Sequence, residues 1–158
     1  MQLFQTLVPS LLLASAVLAL GSCTECPLGL TLAVTGTIRL GKPLQPIAVP
    51  GGVRTVTPII GGTLTGVINA TIEGGVAYPQ VVGNGTVSVP QIILYGTTAD
   101  NSSFLIQEAG VGGVAHQNTR IILEVGGKET PRMDEFIIAT VMPSKDRKTV
   151  AIEGYIVP

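Results

Sequence analysis

The stretch that decides the fold is Thr63-Leu64-Thr65-Gly66-Val67-Ile68-Asn69-Ala70-Thr71-Ile72. Polar and apolar side chains alternate along most of it, and Val67 alone breaks the pattern. A period of two is typical of a β-strand with one solvated and one buried face. We therefore predict a strand over residues 63–72, with Asn69 and Thr71 on its solvated face.

The remainder of the chain repeats this β pattern, with Gly-rich and polar turns between the apolar stretches and no helical period. Closely spaced short strands of this kind predict an all-β fold, either a β-sandwich or a small antiparallel β-barrel, and closure into a barrel would remove exposed strand edges. Pro90 lies within one predicted strand and is expected to mark a bulge or an edge. The further predicted strands span residues 30–40, 86–95, 103–108, 120–125, 135–142 and 149–157.

Composition supports the same fold class and narrows the possible partners. The 158 residues are 46% hydrophobic but only 4% aromatic, and they include 20 Gly and 11 Pro, which favour strands joined by tight turns. The net charge is −1 and no basic stripe with interleaved aromatics occurs, so nucleic acid is not an expected partner. The Gly-rich segments lack the Lys-Ser/Thr that phosphate cradling needs, so neither a nucleotide nor another cofactor is predicted.

The first residues have the pattern of a targeting segment. Residues 1–21 contain an apolar core followed by small residues and predict a cleaved signal peptide, which is too short for a membrane span. Residues 22–29 are then a flexible arm, and residues 30–158 form a single β-domain. The alternative is a bacterial lipoprotein signal with a lipidated Cys23.

Three Asn-x-Ser/Thr triplets favour the secretory pathway over the lipoprotein alternative. They begin at Asn69, Asn84 and Asn101, and each is a predicted glycosylation site on a solvated strand face or in a turn. The protein is therefore expected outside the cell or in the lumen of an endomembrane compartment.

The two cysteines, Cys23 and Cys26, lie close together near the start of the predicted mature chain. They form either a small disulfide or two free thiols. A structural zinc site needs four nitrogen or sulfur donors, and His116 is the only histidine, so no metal site is predicted.

Several Gly-rich segments carry a resemblance to a known family. The sequence from Pro50-Gly51-Gly52 through Pro58-Ile59-Ile60-Gly61-Gly62-Thr63 to Gly74-Gly75 is similar to the opening of the domain-of-unknown-function 3237 family, in a form associated with secreted fungal proteins. Later segments around Glu108-Ala109-Gly110 and Val150 to Tyr155 also fit the spacing. The chain departs from the family pattern at Ala77-Tyr78, where Asp-Trp is usual, and at residues 100–102, where Asp-Asp-Gly is usual.

The resemblance implies a small calycin-like antiparallel β-barrel over nearly all of residues 30–158. Family members occur among fungal secondary-metabolite enzymes, where a cofactor-free barrel can steer the cyclisation or isomerisation of a reactive intermediate. Such a reaction would depend on water exclusion and on one acid and one base.

Four ionisable residues are candidates for this catalysis. Glu73 follows a predicted strand, Arg54 could bind an anionic oxygen, and His116 lies in a loop at a predicted barrel mouth, where histidine is a common acid or base. Glu124 either points outward by alternation or projects into the lumen with a raised pKa. For each of the four, a solvated surface role is the simpler interpretation.

Tyr78 and Tyr95 offer aromatic walls for a ligand, and packing in the core explains them equally well. Two functions therefore stay open: a cofactor-independent cyclase or isomerase acting on a small apolar molecule, or a secreted barrel that binds an apolar ligand or has a structural role. Catalysis requires an ionisable side chain inside the barrel, whereas simple binding does not. A homodimer is a further expectation for a small apolar barrel of low charge.

Overall fold

The structure is a computed structural model that describes residues 29–127 and 135–158. The secondary structure of these residues is almost entirely β, with a single one-turn 3-10 helix at Gly83–Gly85. The strands are β1 (Thr31–Leu40), β2 (Ile47–Val49), β3 (Gly52–Arg54), β4 (Thr57–Gly66), β5 (Ala70–Ala77), β6 (Gln80–Val82), β7 (Val87–Val89), β8 (Gln91–Thr98), β9 (Ser103–Gly113), β10 (His116–Val125), β11 (Phe136–Pro143) and β12 (Thr149–Val157).

Eight of these strands form a closed antiparallel β-barrel, which confirms the predicted fold class and decides between barrel and sandwich. The order around the barrel is β10-β11-β12-β1-β4-β5-β8-β9, and pairing of β9 with β10 closes the ring. Closure leaves no unpaired edge among the eight strands, so their apolar sequences do not expose a template for aggregation.

The four short strands form a small extension of the same sheet. β7 pairs with β9, and the order continues through β6 and β3 to β2. The extension therefore stands beside one end of the barrel and does not take part in closing it.

Side chains on the barrel strands point alternately inward and outward, and the inward ones form the core. Large aliphatic side chains with almost no exposed surface fill the interior, among them Ile38, Leu64, Leu94, Ile106 and Ile152. Burial of each such side chain contributes about 1.5–3 kcal/mol to stability.

Glycines on the barrel strands allow close approach of neighbouring backbones. A Cβ atom on Gly75, whose φ is +150°, would lie 2.2 Å from the carbonyl oxygen of Ile93, and one on Gly110 would lie 2.0 Å from that of Asn118. Contacts this short leave room only for glycine, which explains part of the high glycine content.

The predicted strand over residues 63–72 is wrong in one respect. β4 ends at Gly66 and β5 begins at Ala70, so residues 67–69 form the turn of a hairpin. Asn69 is therefore exposed in a turn and does not lie on a strand face. The turn also explains why Val67 interrupts the alternation.

Other predicted boundaries were shifted by glycine and proline. Gly61-Gly62 and Gly74-Gly75 are two of the Gly-rich segments predicted as turns, but they lie inside β4 and β5 and do not separate strands. The predicted strand over residues 86–95 is two strands, β7 and β8, which are separated by Pro90. The strand predicted over residues 149–157 has the bounds of β12.

Residues 1–28 lie outside the described residues, and so do the predicted signal peptide, all of the predicted arm over residues 22–29 except Gly29, and a pairing of Cys23 with Cys26. Within residues 29–127 and 135–158, no helix has the length and apolar character needed to cross a membrane.

Candidate ligand-binding site

One end of the barrel opens into a cavity of about 470 Å³. It lies where β1 and β11 end and where β10 and β12 begin, and the extension supplies part of its wall through Val81 and Ser88. Its volume is in the range of small-molecule sites, which are usually 300–1,000 Å³.

The cavity wall is mainly aliphatic. Leu40, Ile92, Val141 and Val150 line it, together with several prolines from the loops and the extension. Gln117 is the most buried polar side chain among them. It is 3% exposed, and its Nε2 donates a hydrogen bond to the carbonyl oxygen of Gly113 at 2.7 Å. The site therefore suits a mainly apolar molecule with few polar groups.

Glu108 is an acid buried in the barrel interior. Its side chain is 3% exposed, and no other ionisable side chain in the described part of the chain is buried. Burial raises the pKa of Glu108 to about 7, although a hydrogen bond donated by the Thr119 hydroxyl opposes the shift. Its second oxygen, Oε2, has no hydrogen-bond partner among the described residues. A buried acid of this kind is a candidate for proton transfer near neutral pH.

Glu108 does not line the cavity itself and borders the outer groove that Tyr78 lines, but the strand register sets it beside a residue of the cavity wall. Glu108 pairs with Ile92, which lines the cavity, and Thr119 follows Gln117 by two residues on the same inward face of β10. Gln117, Thr119 and Glu108 therefore form a polar column that descends from the cavity wall into the core.

The Thr119 hydroxyl has two acceptors within reach, Glu108 Oε1 and the carbonyl oxygen of Ala139, the latter at 3.3 Å. One hydroxyl proton cannot serve both acceptors. If Glu108 is protonated it can donate to Thr119, which then donates to Ala139. The local hydrogen bonding is therefore satisfied best by the neutral acid.

The β11–β12 turn contributes the charged part of the cavity mouth, through Asp146 and Arg147. Asp146 accepts hydrogen bonds from the Ser144 hydroxyl at 2.7 Å and from the Lys148 N–H at 3.1 Å, and these bonds lower its pKa. Asp146 thus holds the turn in shape.

The structure does not bring the four predicted catalytic residues together. His116 is exposed at the first position of β10, and its neighbour Gln117 is the residue that faces the cavity. Glu73 is exposed and accepts a hydrogen bond from the Thr97 hydroxyl, and Glu124 is exposed on the outer face of β10. The outward orientation of Glu124 is the one that alternation favours.

Arg54 has a structural role that its position in sequence did not indicate. Its guanidinium donates to the carbonyl oxygen of Tyr78 at 2.9 Å and to Gln80 Oε1 at 3.0 Å, and it lies 5.9 Å from the centre of the Tyr78 ring. These contacts tie β3 to the start of β6. Arg54 does not line the cavity.

Both predicted ligand-binding tyrosines lie away from the cavity lining. Tyr95 is 51% exposed on the barrel exterior, where its hydroxyl covers Gly74. Tyr78 lines a groove of about 350 Å³ on the outer face, beside Ile93 and Arg120. Neither tyrosine is among the residues that line the cavity, so its wall contains no aromatic side chain.

Sequence reasoning missed Glu108, Gln117 and Arg147. Glu108 was detectable, because Phe104, Ile106 and Glu108 occupy alternate positions of one strand and therefore share a face. No such alternation pointed to Gln117 or Arg147. Whether these residues line the cavity depends on where the neighbouring turns lie in the folded barrel.

The three predicted glycosylation sites are exposed and have turn geometry. Asn84 and Asn101 have φ angles of +57° and +68°, and Asn69 is linked to the β8–β9 turn by a hydrogen bond from the Ala99 N–H to its carbonyl oxygen at 2.7 Å. Asn69 and Asn101 therefore lie at the barrel end opposite the cavity. No group of three or more His, Cys, Asp or Glu suited to a metal ion occurs within residues 29–127 and 135–158.

No protein-family model matches the chain, and no curated protein matches its sequence. Solved structures do match. A conserved protein of unknown function from Rhodopseudomonas palustris has a TM-score of 0.70 at 18% identity, over 82% of this chain and 98% of that one. A protein of unknown function from Clostridium acetobutylicum has a TM-score of 0.70 at 16% identity, over 82% and 98%.

A third solved structure is described as an enzyme from Penicillium herquei. Its TM-score is 0.63 at 15% identity, over 86% of this chain and 99% of that one. Similarity at such low identity shows a shared fold, so the chain has the barrel architecture of these three proteins.

Proposed function

We propose that the protein binds a small, mainly apolar molecule in the cavity at the open end of the barrel. The observation that carries this proposal is the cavity itself, which combines a volume of about 470 Å³ with a wall that is mostly aliphatic. Removal of apolar ligand surface from water supplies the binding free energy, and the few polar groups, Gln117 among them, orient the molecule.

A second proposal concerns chemistry on the bound molecule. Glu108 favours a cofactor-independent cyclase or isomerase, because an acid with a pKa of about 7 can both give and take a proton at neutral pH. The description of one structural neighbour as an enzyme, and the family resemblance of the Gly-rich segments, agree with this proposal. Binding without catalysis is the alternative.

The proposed reaction is balanced without an oxidant or reductant. In an isomerisation, the ionised Glu108 accepts a proton from one position of the substrate and the resulting acid returns a proton to another. In a cyclisation, protonation of an acceptor site is matched by loss of a proton from the attacking group. Glu108 does not line the cavity, so a neighbouring side chain such as Ile92 must move for a bound substrate to reach the acid.

Binding is tested with the neutral fluorescent probe N-phenyl-1-naphthylamine. Val81→Trp, in the cavity wall, should weaken probe binding by about tenfold or more, because the larger side chain occupies ligand space. Val111→Trp, at an exposed position of β9, is the matched control and should leave binding unchanged. Equal binding by both variants and the wild type would contradict the proposed site.

Catalysis is tested by metabolite profiling of a strain that lacks the gene. The strain is complemented with the wild type, with Glu108→Gln and with Glu124→Gln, which removes an exposed carboxylate from the outer face. We expect a metabolite to accumulate in the deletion strain and to disappear with the wild type and Glu124→Gln only. Full rescue by Glu108→Gln, or no metabolite change on deletion, would leave binding as the function.

A further inference from the structure

We propose that the ligand of the cavity is an amphiphilic anion, with its apolar body inside the barrel and a carboxylate or similar acidic group held at the mouth by Arg147. The inference rests on the proposed binding function and adds a chemical class and an orientation to it. Its basis is the distribution of charge around the cavity mouth.

Cations are concentrated at one side of this mouth. Arg147 lines the cavity, Lys145 and Lys148 lie in the same turn, and Lys42 precedes the lining residue Pro43. The single carboxylate of this group is Asp146. Because the whole chain has a net charge of −1, this positive excess is a local feature and not a general property of the surface.

The charge of Asp146 is already engaged within the turn. Its Oδ1 accepts from the Ser144 hydroxyl and from the Lys148 N–H, and Arg147 N–H donates to the Ser144 carbonyl oxygen at 3.0 Å. The guanidinium of Arg147, in contrast, has no hydrogen-bond or ion-pair partner among the described residues. It is thus available to an anion that enters the cavity.

The backbone of Arg147 supports the same conclusion. Its φ is +57°, in the left-handed region that glycine and asparagine adopt most easily. A bulky residue there costs stability. An arginine at this position places a guanidinium, whose fork-shaped donors match a carboxylate, at the edge of an apolar cavity.

The interior of the cavity sets the orientation of the ligand. No Lys, Arg or His lines the cavity below the mouth among the described residues. An aliphatic wall without a cation disfavours a buried negative charge there. The anionic group must therefore face outward, toward Arg147, and the apolar body must lie against Ile92 and Val141.

Two probes that share a body and differ in charge test the inference. 1-Anilinonaphthalene-8-sulfonate is anionic, whereas N-phenyl-1-naphthylamine is neutral. Arg147→Asn removes the cation and keeps a residue that tolerates positive φ. We expect it to weaken sulfonate binding by about fivefold to tenfold, as for loss of one charge-assisted hydrogen bond, and to change neutral binding less than about twofold.

The matched control is Arg120→Gln, which removes a cation from the outer face of β10, where Arg120 lies 5.0 Å from the Phe136 ring. It should leave the binding of both probes unchanged. If Arg120→Gln weakens sulfonate binding as much as Arg147→Asn does, general charge explains the effect and the inference is wrong.

The outcomes separate this inference from the proposed function. If Val81→Trp weakens both probes while Arg147→Asn weakens neither, the cavity binds apolar molecules without selecting anions, and only the inference fails. If Val81→Trp has no effect on either probe, the binding proposal itself fails.

Discussion

Glu108 sits among aliphatic side chains, in an environment that disfavours a charge. Its carboxyl is neutral in both the folded and the unfolded chain below its usual pKa of 4.5. As pH rises, the unfolded chain ionises first, because folded Glu108 keeps its proton up to a pKa of about 7. Ionisation therefore favours the unfolded state, and stability falls across this pH range.

We predict that Glu108→Gln removes this loss of stability. The wild type should lose about 3 kcal/mol relative to the variant between pH 4.5 and pH 8, and most of the change should occur below pH 7. Denaturant titrations of both proteins at several pH values measure the difference. Glu124→Gln is the control, because it removes an exposed carboxylate. If the free energy of unfolding of Glu108→Gln differs from that of the wild type by the same amount at every pH, the prediction is contradicted.

The candidate site was only partly accessible from sequence. Local alternation correctly favoured an outward Glu124, and the same alternation applied to Phe104, Ile106 and Glu108 identifies the buried acid. It cannot show that Gln117 and not His116 faces the cavity, because the exact start of β10 decides this. No local sequence pattern could predict that Arg147 lines the cavity, because its turn reaches the cavity mouth only when the barrel closes.

At the scale of the strand, Gly110 shows what barrel closure requires. It pairs with Thr119 in β10, and a Cβ there would lie 2.0 Å from the carbonyl oxygen of Asn118. The β9 and β10 backbones would have to separate to admit a methyl group, and these are the strands that close the ring.

We predict that Gly110→Ala destabilises the protein by about 2–3 kcal/mol or more, as overpacking against backbone does. Gly113→Ala is a control on the same strand, because its Cβ would lie 3.9 Å from the nearest atom. That variant should differ from the wild type by less than about 1 kcal/mol. Thermal unfolding measures the stability of both variants and of the wild type. Equal stability of Gly110→Ala and Gly113→Ala would contradict the prediction, because it would show that the strands move apart without cost.

The strand predictions are correct where polar and apolar residues alternate without interruption and the adjoining turns are polar. The strand over residues 149–157 follows Ser144-Lys145-Asp146 and has the predicted bounds. The strand prediction is wrong at the paired glycines, because glycine is common both in turns and where two strands approach closely. Gly61-Gly62 and Gly74-Gly75 permit close strand contact here and do not form turns. The hairpin turn at residues 67–69 was hidden because polar and apolar residues continue to alternate on both sides of it.

At the scale of the molecule, one outer face carries exposed apolar side chains. Ile122 and Phe136 are 44% and 47% exposed on the adjacent strands β10 and β11, and Tyr95 is 51% exposed on β8, which β9 separates from β10. Arg120 and Glu124 flank Ile122 on the same face of β10. A twofold axis near Ile122 would place Arg120 of one copy opposite Glu124 of the other, so this face suits the predicted homodimer.

We predict that Arg120→Glu weakens self-association and that the double variant Arg120→Glu with Glu124→Arg restores it, because the charge pairs are then reversed but complementary. Sedimentation equilibrium measures the association constant of each protein. A wild type that stays monomeric, or a double variant no better than Arg120→Glu alone, would contradict this interface.

The glycosylation triplets also make a prediction for the whole molecule. Expressed in a eukaryotic secretory host, the protein should carry glycans at Asn69, Asn84 and Asn101, each lost on substitution by Gln. Because Asn69 and Asn101 lie at the end opposite the cavity, Asn69→Gln and Asn101→Gln should not alter probe binding. Intact mass spectrometry checks the glycans, and a protein of unmodified mass would contradict the prediction.

The pairing of the first and last barrel strands has a practical consequence. Thr31 is in register with Ile156, and a Cβ on Gly29 would lie 3.7 Å from Pro158, so the two ends of the described domain are side by side. Both lie at the end opposite the cavity, since the other end of β1, Leu40, lines it. A surface or fusion partner joined at residue 158 is therefore attached behind the barrel, and a tethered molecule presents its open mouth to the solution.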